Sequence, residues 1–368
     1  MTRVFVLNSG SSSLKYEVLD VEAGSVVTSG LIERVTDHSA ALASVLAELD
    51  AESIDAVGHR IVHGGSVFLQ ATLVDDSVEE QIDRLATLAP LHNPPGLEGI
   101  RAARAALPFI PHVAVFDTAF HATLPPEAFT YALDAKVAAD HGIRRYGFHG
   151  TSYRHVSARA AEVLGRPLEE LRMVVLHLGN GASAAAISGG RSIDTSMGMT
   201  PLEGLVMGTR SGDIDPAVLL HLQRVGGYDA ASLDDLLNRS SGLLGLGGQS
   251  DMRDLMASAE GGHAGARLAF EVYVHRLRRY IGAYAAELGG IDALVFTAGV
   301  GENSDVVRAR AVEGLGFLGL SVDAGLNAAR SSEPRVISPA GAAVAVMVVP
   351  TNEELQIARE TLEVVTAS

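Results

Sequence analysis

Two segments of this chain follow one plan, and they lie about half the chain apart. In each, an apolar strand-like run enters a tight turn of small residues, and a second strand-like run returns. The first runs from Val4 to Val18 with its turn at 8–13, and the second runs from Met173 to Ile187 with its turn at 179–183. Backbone N–H groups in such turns can converge on an anion, because few side chains block the approach. The two hairpins predict a duplicated fold whose two loops face one phosphorylated ligand.

Composition limits the class of protein. The length of 368 residues predicts two domains, and the net charge of −16 argues against nucleic-acid or anionic-membrane binding as the main role. The absence of cysteine excludes a disulfide framework and thiolate chemistry. The N-terminus has no signal-peptide pattern, and the apolar stretch at 342–349 is too short to span a bilayer. We therefore expect a cytoplasmic protein.

Strand-like and helix-like runs alternate along the chain, which predicts an α/β fold. Helical patterns occur at 40–49, 78–88 and 264–288, and strand patterns occur at 54–62, 112–116 and 293–296. A last helix begins near Thr351 and is expected to return to the first domain. We expect a first domain of residues 1–118 plus 355–368 and a second domain of residues 119–354.

Two arginines stand in unusual settings. Arg60 and Arg210 are each flanked by glycines and apolar residues, which suits an ordinary surface ion pair poorly. The planar guanidinium fork fits the oxygens of a carboxylate or a phosphate. The alternative for each arginine is a buried structural ion pair.

Other polar residues are candidates for the same site. Asp117 ends a buried strand, where carboxylates often face a ligand crevice, although a cap or a turn with Thr118 is the alternative. His149 stands between Phe148 and Gly150, which suits either a pocket wall or a core histidine bound to a carbonyl. Lys15 is one of only two lysines and lies beside the first turn, so it is either a phosphate contact or a solvated strand lysine.

Two further motifs concern the second half of the chain. Thr351 and Glu354 fit a capping box, which leaves Glu353 as the candidate magnesium ligand. The Gly-x-Gly at 299–301 follows a strand and predicts a glycine turn near a nucleotide, a weak signal when it stands alone. The P-loop pattern and the full dinucleotide-binding glycine pattern are absent from the sequence.

Together these residues resemble the acetate kinase family of the actin–Hsp70–sugar-kinase superfamily. The resemblance rests on motifs in order along nearly the whole chain: 8–15, 91–95, 115–121, 147–152, 177–181, 200–216, 297–304 and 351–355. It implies a duplicated actin-like (ribonuclease H-like) ATPase fold with two domains around a nucleotide cleft. It also implies a homodimer formed through the second domain.

The resemblance implies roles for individual residues. The catalytic residues that it implies are Arg60, Asp117, His149 and Arg210. The substrate-binding residues are Arg60 and the apolar wall of Val62, Leu91, Phe148 and Pro201. The nucleotide-binding residues are Ser11, Ser13, Lys15, His177, Leu178, Gly179, Asn180, Gly181, Asp251, Met252, Arg253, Gly299, Val300, Gly301, Glu302 and Asn303. The metal-associated residues are Asn8 and Glu353.

The implied activity is reversible, in-line transfer of the γ-phosphoryl group of ATP to acetate, which gives acetyl phosphate and ADP with Mg²⁺, or alternatively Mn²⁺, as cofactor. A propionate kinase shares every motif and is the first alternative; a non-catalytic nucleotide switch is the second. Two positions depart from the family pattern, namely Tyr153 in place of a histidine and Met252 in place of a phenylalanine. Tyr153 bears on the local structural support of His149, and Met252 bears on how adenine packs.

Overall fold

The chain forms two compact units in the computed structural model, which describes residues 2–9, 13–35, 37–49, 53–90 and 92–367. The first unit contains Met1–Ala122, Phe148–His155 and Asn352–Ser368. The second unit contains Thr123–Gly147 and Val156–Thr351. None of the helices within those described ranges is long and apolar enough to cross a bilayer.

Strands and helices occur along the whole length of the chain. The strands are β1 (Arg3–Ser9), β2 (Ser13–Asp20), β3 (Ser25–Glu33), β4 (Ala56–Ile61), β5 (Thr72–Leu73), β6 (His112–Phe116), β7 (Arg172–Leu178), β8 (Ala182–Ser188), β9 (Arg191–Thr195), β10 (Ala293–Thr297), β11 (Arg335–Val336) and β12 (Ala345–Val348). The helices are α1 (His38–Glu48), α2 (Asp76–Arg84), α3 (Asn93–Ala106), α4 (Pro126–Phe129), α5 (Ala135–Asp140), α6 (Gly150–Leu164), α7 (Ala217–Val225), α8 (Ala230–Arg239), α9 (Gly242–Gly247), α10 (Met252–Glu260), α11 (Ala264–Glu287), α12 (Ala298–Asn303), α13 (Asp305–Val312), α14 (Ala324–Ala328) and α15 (Glu353–Ala367).

The two units repeat one sheet topology. The first sheet has the order β3-β2-β1-β4-β6-β5, and the second has the order β9-β8-β7-β10-β12-β11. In each sheet the first three strands form an antiparallel meander, and the first strand also pairs in parallel with the fourth. Every strand of the second sheet therefore has a counterpart six numbers earlier. This confirms the predicted α/β duplication and both predicted hairpins.

Both faces of the first sheet are covered by helices. Successive side chains of β1 point to opposite faces, so Phe5 and Leu7 pack with α1 and α3, whereas Val4 and Val6 pack with α15. Gly58 of β4 permits close approach of α15, because a Cβ there would lie 2.5 Å from a threonine hydroxyl on that helix. This packing fixes the carboxyl ends of β1, β4 and β6, which run parallel, at one edge of the sheet.

Three helices pack together beside the second sheet. A Cβ on Gly247, the last residue of α9, would lie 3.1 Å from atoms of both Ala266 and Ala269 on α11. The side chain of Leu255 on α10 reaches the same place, at 2.4 Å from that Cβ position. Glycine is needed there because α9, α10 and α11 meet with no space for a side chain. These helices form one wall of the cavity described below.

Candidate active site

Arg60 and Asp117 form a buried ion pair at the carboxyl ends of two neighbouring parallel strands. Arg60 lies in β4, and Asp117 directly follows β6. Arg60 Nε donates to Asp117 Oδ1 at 3.0 Å, and Nη2 donates to Oδ2 at 2.6 Å. Because Asp117 is 1% exposed, this bidentate contact replaces water around the carboxylate. The buried ion pair that was the alternative for Arg60 is therefore present in the structure. Through it, the Asp117 carboxylate orients the Arg60 guanidinium.

Arg60 also contacts the two residues predicted to associate with magnesium. Its Nη1 donates to Asn8 Oδ1 at 3.2 Å, and its Nε lies 3.8 Å from Glu353 Oε2. Burial lowers the pKa of Arg60, but Asp117 and Glu353 more than offset it and raise the pKa above its ordinary value. Among the described residues, these hydrogen bonds use three of the five N–H donors of Arg60, and two donors remain.

Asn8 and Glu353 supply one amide oxygen and one carboxylate. Burial raises the pKa of Glu353, while the nearby Arg60 opposes that rise. Among the described residues, no group of three or more His, Cys, Asp or Glu side chains could hold a metal ion. Mg²⁺ commonly keeps several waters and takes one or two protein oxygens together with phosphate oxygens. The amide oxygen of Asn8 and the carboxylate of Glu353 are donors of the kind that a hydrated Mg²⁺ takes from a protein.

The start of α15 corrects one sequence prediction. The Leu355 N–H donates to Asn352 Oδ1 at 2.9 Å, so Asn352 caps the helix. The predicted capping box of Thr351 and Glu354 is wrong, because the Glu354 carboxylate contacts Lys15 Nζ instead. Partial burial lowers the pKa of Lys15, but its contact with Glu354 outweighs burial and raises the pKa overall. Glu354 is thus an ion-pair partner of the first hairpin.

His149 lies in a turn that is fastened to the end of β6. Its φ of 59° is in the left-handed region, a conformation that costs a non-glycine residue on the order of 1–3 kcal/mol and recurs at ligand sites. The Gly150 N–H donates to the Asp117 carbonyl at 3.0 Å, and a Cβ on Gly150 would lie 2.2 Å from that oxygen. The turn at 148–150 therefore sits directly beside the Arg60–Asp117 pair.

The predicted apolar wall is distributed over both units. Val62 is half-buried just beyond β4, and Phe148 is buried in the same unit, with its ring 5.5 Å from that of His63. Pro201 belongs to the second unit. Leu91 lies outside the described residues, as does Ser11 of the first phosphate loop. The structure thus brings Val62 and Phe148 into one unit around His63.

Sequence reasoning missed Asn93, which fixes the chain beyond Val62. Asn93 is completely buried, and its Oδ1 accepts from the His63 N–H at 3.1 Å while its Nδ2 donates to the His63 carbonyl at 2.9 Å. The side chain thereby satisfies both backbone groups of His63. The available signal was an asparagine directly before two prolines at the start of a helix.

Tyr153, at the position where the family pattern predicts a histidine, packs among aromatic side chains. It is completely buried, and its ring lies 5.6 Å from that of His121, edge to face, and 6.2 Å from that of Phe120, roughly parallel. Nε2 of His121 also bonds the Phe148 carbonyl at 2.9 Å. The aromatic cluster of Tyr153, His121 and Phe120 therefore supports the turn that carries His149.

Arg210 differs from Arg60 in having no carboxylate partner within 4.0 Å in the described part of the chain. Its Nη1 donates to the Pro201 carbonyl at 3.0 Å and lies 3.8 Å from the Met207 sulfur. Burial lowers the pKa of Arg210, which reflects a cation removed from water without a counter-charge. An arginine remains charged under these conditions. Within the described structure, the Arg210 guanidinium therefore carries a charge that no nearby carboxylate compensates.

The second hairpin turn is linked to the loop that carries Arg210. The Gly179 N–H donates to the Gly181 carbonyl at 3.1 Å and closes the turn between β7 and β8. The Gly208 N–H donates to the Asn180 carbonyl at 3.1 Å. A Cβ on Gly208 would lie 2.0 Å from Asn180 Oδ1 and 3.0 Å from the Ser250 carbonyl, so a side chain there would displace the Asn180 amide.

A cavity of about 820 Å³ opens beside this turn in the second unit. Eight of its lining residues were predicted to bind nucleotide: Gly179, Asn180, Asp251, Met252, Arg253, Gly299, Val300 and Asn303. Asp251 caps α10 and pairs with Arg253 at 2.7 Å, and this pairing lowers the pKa of Asp251 to about 2. The size and the mixed lining suit a nucleoside.

Other predicted nucleotide-binding residues do not line this cavity. His177 and Leu178 are buried in β7, Ser13 and Lys15 lie in the first unit, and Gly181 closes the hairpin turn. Further lining residues were not predicted, among them Met256, Tyr273, Ser304, Asp305 and Arg330. Ser304 is the last residue of the motif at 297–304, whereas Met256, Tyr273, Asp305 and Arg330 lie outside the motifs named above.

The expected glycine turn at 299–301 is the first part of a helix, α12. The sharp bend falls on Ala298, at φ 64°. Glu302 Oε1 accepts from the Ala298 N–H at 2.8 Å and from the Thr351 N–H at 3.1 Å. Glu302 therefore holds the ends of β10 and β12 together rather than facing the cavity. The Gly301 carbonyl accepts a hydrogen bond from Arg308 Nη1 at 2.8 Å.

Comparison with known proteins is consistent across the chain. The model of the acetokinase family matches residues 34–359. An acetate kinase from Leifsonia xyli subsp. xyli (strain CTCB07) is 58% identical over 396 residues, with 100% of each chain covered. An acetate kinase from Streptomyces coelicolor (strain ATCC BAA-471 / A3(2) / M145) is 54% identical over 398 residues, which cover 100% of this chain and 98% of the relative.

Solved structures agree with the sequence relatives. The crystal structure of Porphyromonas gingivalis acetate kinase matches with a TM-score of 0.95 and 42% identity, covering 99% of this chain and 100% of that one. A propionate kinase from Francisella tularensis subsp. tularensis SCHU S4 matches with a TM-score of 0.92 and 39% identity over the same shares. The fold, the motifs and the relatives agree, and the chain belongs to the acetokinase family.

Proposed function

We propose that this enzyme transfers the γ-phosphoryl group of ATP directly to acetate, giving acetyl phosphate and ADP, and that it also runs in reverse. The observation that carries the proposal is Arg210, a partly buried guanidinium with no carboxylate partner in the described structure. A group of this kind suits the negative charge of a transferring phosphoryl group or of a carboxylate. The acetate kinase relatives support acetate as the acceptor.

The acceptor needs no general base. Acetate is already ionised at neutral pH, so the protein contributes by positioning the reactants and neutralising charge. Asp117 suits this requirement because its carboxylate is bound to Arg60 and orients that guanidinium. The two remaining N–H donors of Arg60, together with Arg210 and His149, are the groups that we assign to substrate and phosphoryl oxygens.

We place Mg²⁺ near Asn8 and Glu353, with ATP oxygens and waters completing its shell. When bound, the ion neutralises phosphate charge. Glu353 would bind as the ionised form, although burial favours its neutral form in the free protein. The adenosine part of ATP would occupy the cavity that Met252 and Val300 line, with a thioether in place of an aromatic ring on one side.

A propionate kinase is the second candidate. A propionate kinase of known structure is among the similar proteins, and one added methylene is worth only ~1–3 kcal/mol in an apolar pocket. The buried Phe148 and the half-buried Val62 favour a small acyl group. Acetate is therefore the proposed preferred substrate, with propionate accepted less well.

We also propose a cytoplasmic homodimer.

The deciding experiment is hydroxylamine trapping of acyl phosphate formed from ATP and Mg²⁺ with acetate, propionate or butyrate. The proposal predicts the highest kcat/KM for acetate, a lower value for propionate and a poor one for butyrate. A higher value for propionate would transfer the proposal to propionate kinase. ATP hydrolysis without any acyl phosphate would refute both activities.

A further inference from the structure

Arg210 is carried by a long segment without helix or strand. Residues 196–216 connect the end of β9 to the start of α7, and we call them the arginine loop. A loop of this length usually moves unless side chains and neighbouring elements hold it. The placement of the Arg210 guanidinium therefore depends on the contacts that fix the loop backbone.

The arginine loop is closed at a neck formed by Gly204 and Asp213. The Asp213 N–H donates to the Gly204 carbonyl at 3.0 Å, and the Gly204 N–H donates to Asp213 Oδ1 at 2.8 Å. Two bonds between the same two residues join the start and end of the segment that contains Arg210. The Asp213 side chain thus acts as part of the backbone closure.

Helix α11 holds this neck through two side chains one turn apart. The Tyr280 hydroxyl donates to Asp213 Oδ2 at 3.0 Å. Arg276 Nη1 lies 3.2 Å from Asp213 Oδ2 and donates to the Gly204 carbonyl at 2.8 Å, and Nη2 donates to the Asp213 carbonyl at 3.2 Å. Residues i and i+4 share one face of a helix, so Arg276 and Tyr280 reach the neck together. The longest helix of the second unit is therefore the support of the loop.

The neck leaves no room for a side chain at Gly204 or Gly212. Gly212 has a φ of +65°, and a Cβ there would lie 2.3 Å from the Leu205 carbonyl and 2.5 Å from the Gly204 carbonyl. Gly204 has a φ of +107°, and a Cβ there would lie 2.5 Å from the Ser196 carbonyl. The two sides of the neck are joined by a backbone hydrogen bond, so we expect a change in the Asp213 contacts to shift the loop backbone on both sides.

The far end of the loop is joined to the second hairpin turn. The Gly208 N–H donates to the Asn180 carbonyl, and the Leu243 N–H of α9 donates to the Met207 carbonyl at 2.9 Å. The Ser241 N–H donates to the Thr209 carbonyl at 2.9 Å. These contacts lie directly before Arg210 in the sequence. Arg210 is therefore held between the neck and the turn predicted to bind phosphate.

We propose that Asp213, supported by Arg276 and Tyr280, is a positioning residue that fixes Arg210 for phosphoryl transfer. Asp213 does not act on the substrate itself, because its carboxylate already accepts from the Gly204 N–H, Tyr280 and Arg276. The inference rests on the proposed function and adds the contacts that align Arg210 for it. It assigns α11 a role in the reaction rate that is separate from its role in the cavity wall.

The test compares Asp213→Asn with the matched control Asp215→Asn. The control changes an exposed carboxylate of the same loop, and within the described ranges that carboxylate accepts from the Ala217 N–H at the start of α7 alone. Since a misplacement of ~1 Å can cost about 100-fold in rate, Asp213→Asn should lower kcat for acetyl phosphate formation by roughly 10- to 100-fold. The KM for ATP and the Kd for ADP should change by less than about threefold, and the control should retain its kcat.

A double mutant separates positioning from a general structural role. Because Asp213 is proposed to act through Arg210, Asp213→Asn should lower kcat by less than about twofold in an Arg210→Ala background. An undiminished effect in that background, or a parallel loss of ADP binding, would overturn the inference. Tyr280→Phe is a milder change, because it removes the hydroxyl that donates to Asp213. It should lower kcat a few-fold, and an unchanged kcat in the folded variant would also contradict the inference.

The two proposals fail in different ways. A wild-type enzyme that forms no acyl phosphate would refute the proposed function before any variant is compared. A wild-type enzyme that forms acetyl phosphate while Asp213→Asn keeps its full kcat would refute only the positioning role. Thermal unfolding of each variant identifies loss of fold, and if Asp213→Asn does not fold, the kcat of Tyr280→Phe decides the question.

Discussion

Replacing Asp117 with asparagine tests whether the buried ion pair holds Arg60 in place. Asp117→Asn keeps the size of the side chain but removes its charge and turns an amide nitrogen toward an N–H donor of Arg60. Breaking a buried ion pair costs about 3–5 kcal/mol. The Arg60 side chain keeps 20% exposure and has Glu353 at 3.8 Å, so some of its charge stays compensated. We expect a loss of about 2–4 kcal/mol.

Thermal and urea unfolding measure this loss directly. For domains of this size, each kcal/mol corresponds to about 2–4 °C, so Tm should fall by about 4–16 °C. Asp140→Asn is the matched control, because it breaks an exposed Lys136–Asp140 pair at the same formal charge change. Exposed pairs contribute about 0.3–0.5 kcal/mol at this helical spacing. Equal shifts in the two variants would refute the reasoning.

The same variant also has an expected kinetic result. Without the bidentate contact, Arg60 loses its orientation, and kcat should fall by about 100-fold. The Kd for ADP should not change, because the residues that line the nucleoside cavity lie in the second unit. A kcat within twofold of wild type would show that Arg60 needs no orienting carboxylate.

Three further predictions concern other residues. Val62→Ala should raise the kcat/KM of propionate relative to acetate by up to roughly tenfold, and an unchanged ratio would remove Val62 from the acyl pocket. Glu353→Gln should raise the Mg²⁺ concentration that gives half-maximal rate, whereas Glu354→Gln should release Lys15 and leave that concentration unchanged. Equal Mg²⁺ titrations of the two variants would contradict separate roles for Glu353 and Glu354. Burial raises the pKa of Asp194 from 3.8 to about 7, so the folded state binds an extra proton and stability falls as pH rises through that range. Asp194→Asn should reduce that fall, and equal pH dependences of Tm between pH 4 and 8 would contradict it.

The sequence predicted best what depends on local pattern. Both hairpins, the long helix α11 and the buried strands β6 and β10 follow from apolar periodicity and small turn residues, which act over a few positions. The duplication followed from the repeat of one hairpin pattern. The structure adds that all six strand positions repeat, which no single segment of the sequence could indicate.

The sequence was less informative where distant residues decide a side chain's environment. Arg60 and Arg210 share a glycine-flanked setting, yet only Arg60 has a carboxylate partner in the described structure, 57 residues away. Glu354 matched a local capping pattern, but Lys15, 339 residues away, takes its carboxylate. Ala298 carries the bend at φ 64° where the sequence pointed to glycines. Long-range pairing and strain of this kind leave no periodic signal.

The most direct test of the central claim is the rate of acetyl phosphate formation by Arg210→Ala. We predict a kcat lower by about 10²–10³, as expected when a transition-state donor is removed, with ADP affinity and Tm close to wild type. Arg239→Ala, which removes an exposed arginine paired with Asp235, is the control and should keep full activity. Near-normal turnover by folded Arg210→Ala would contradict the account.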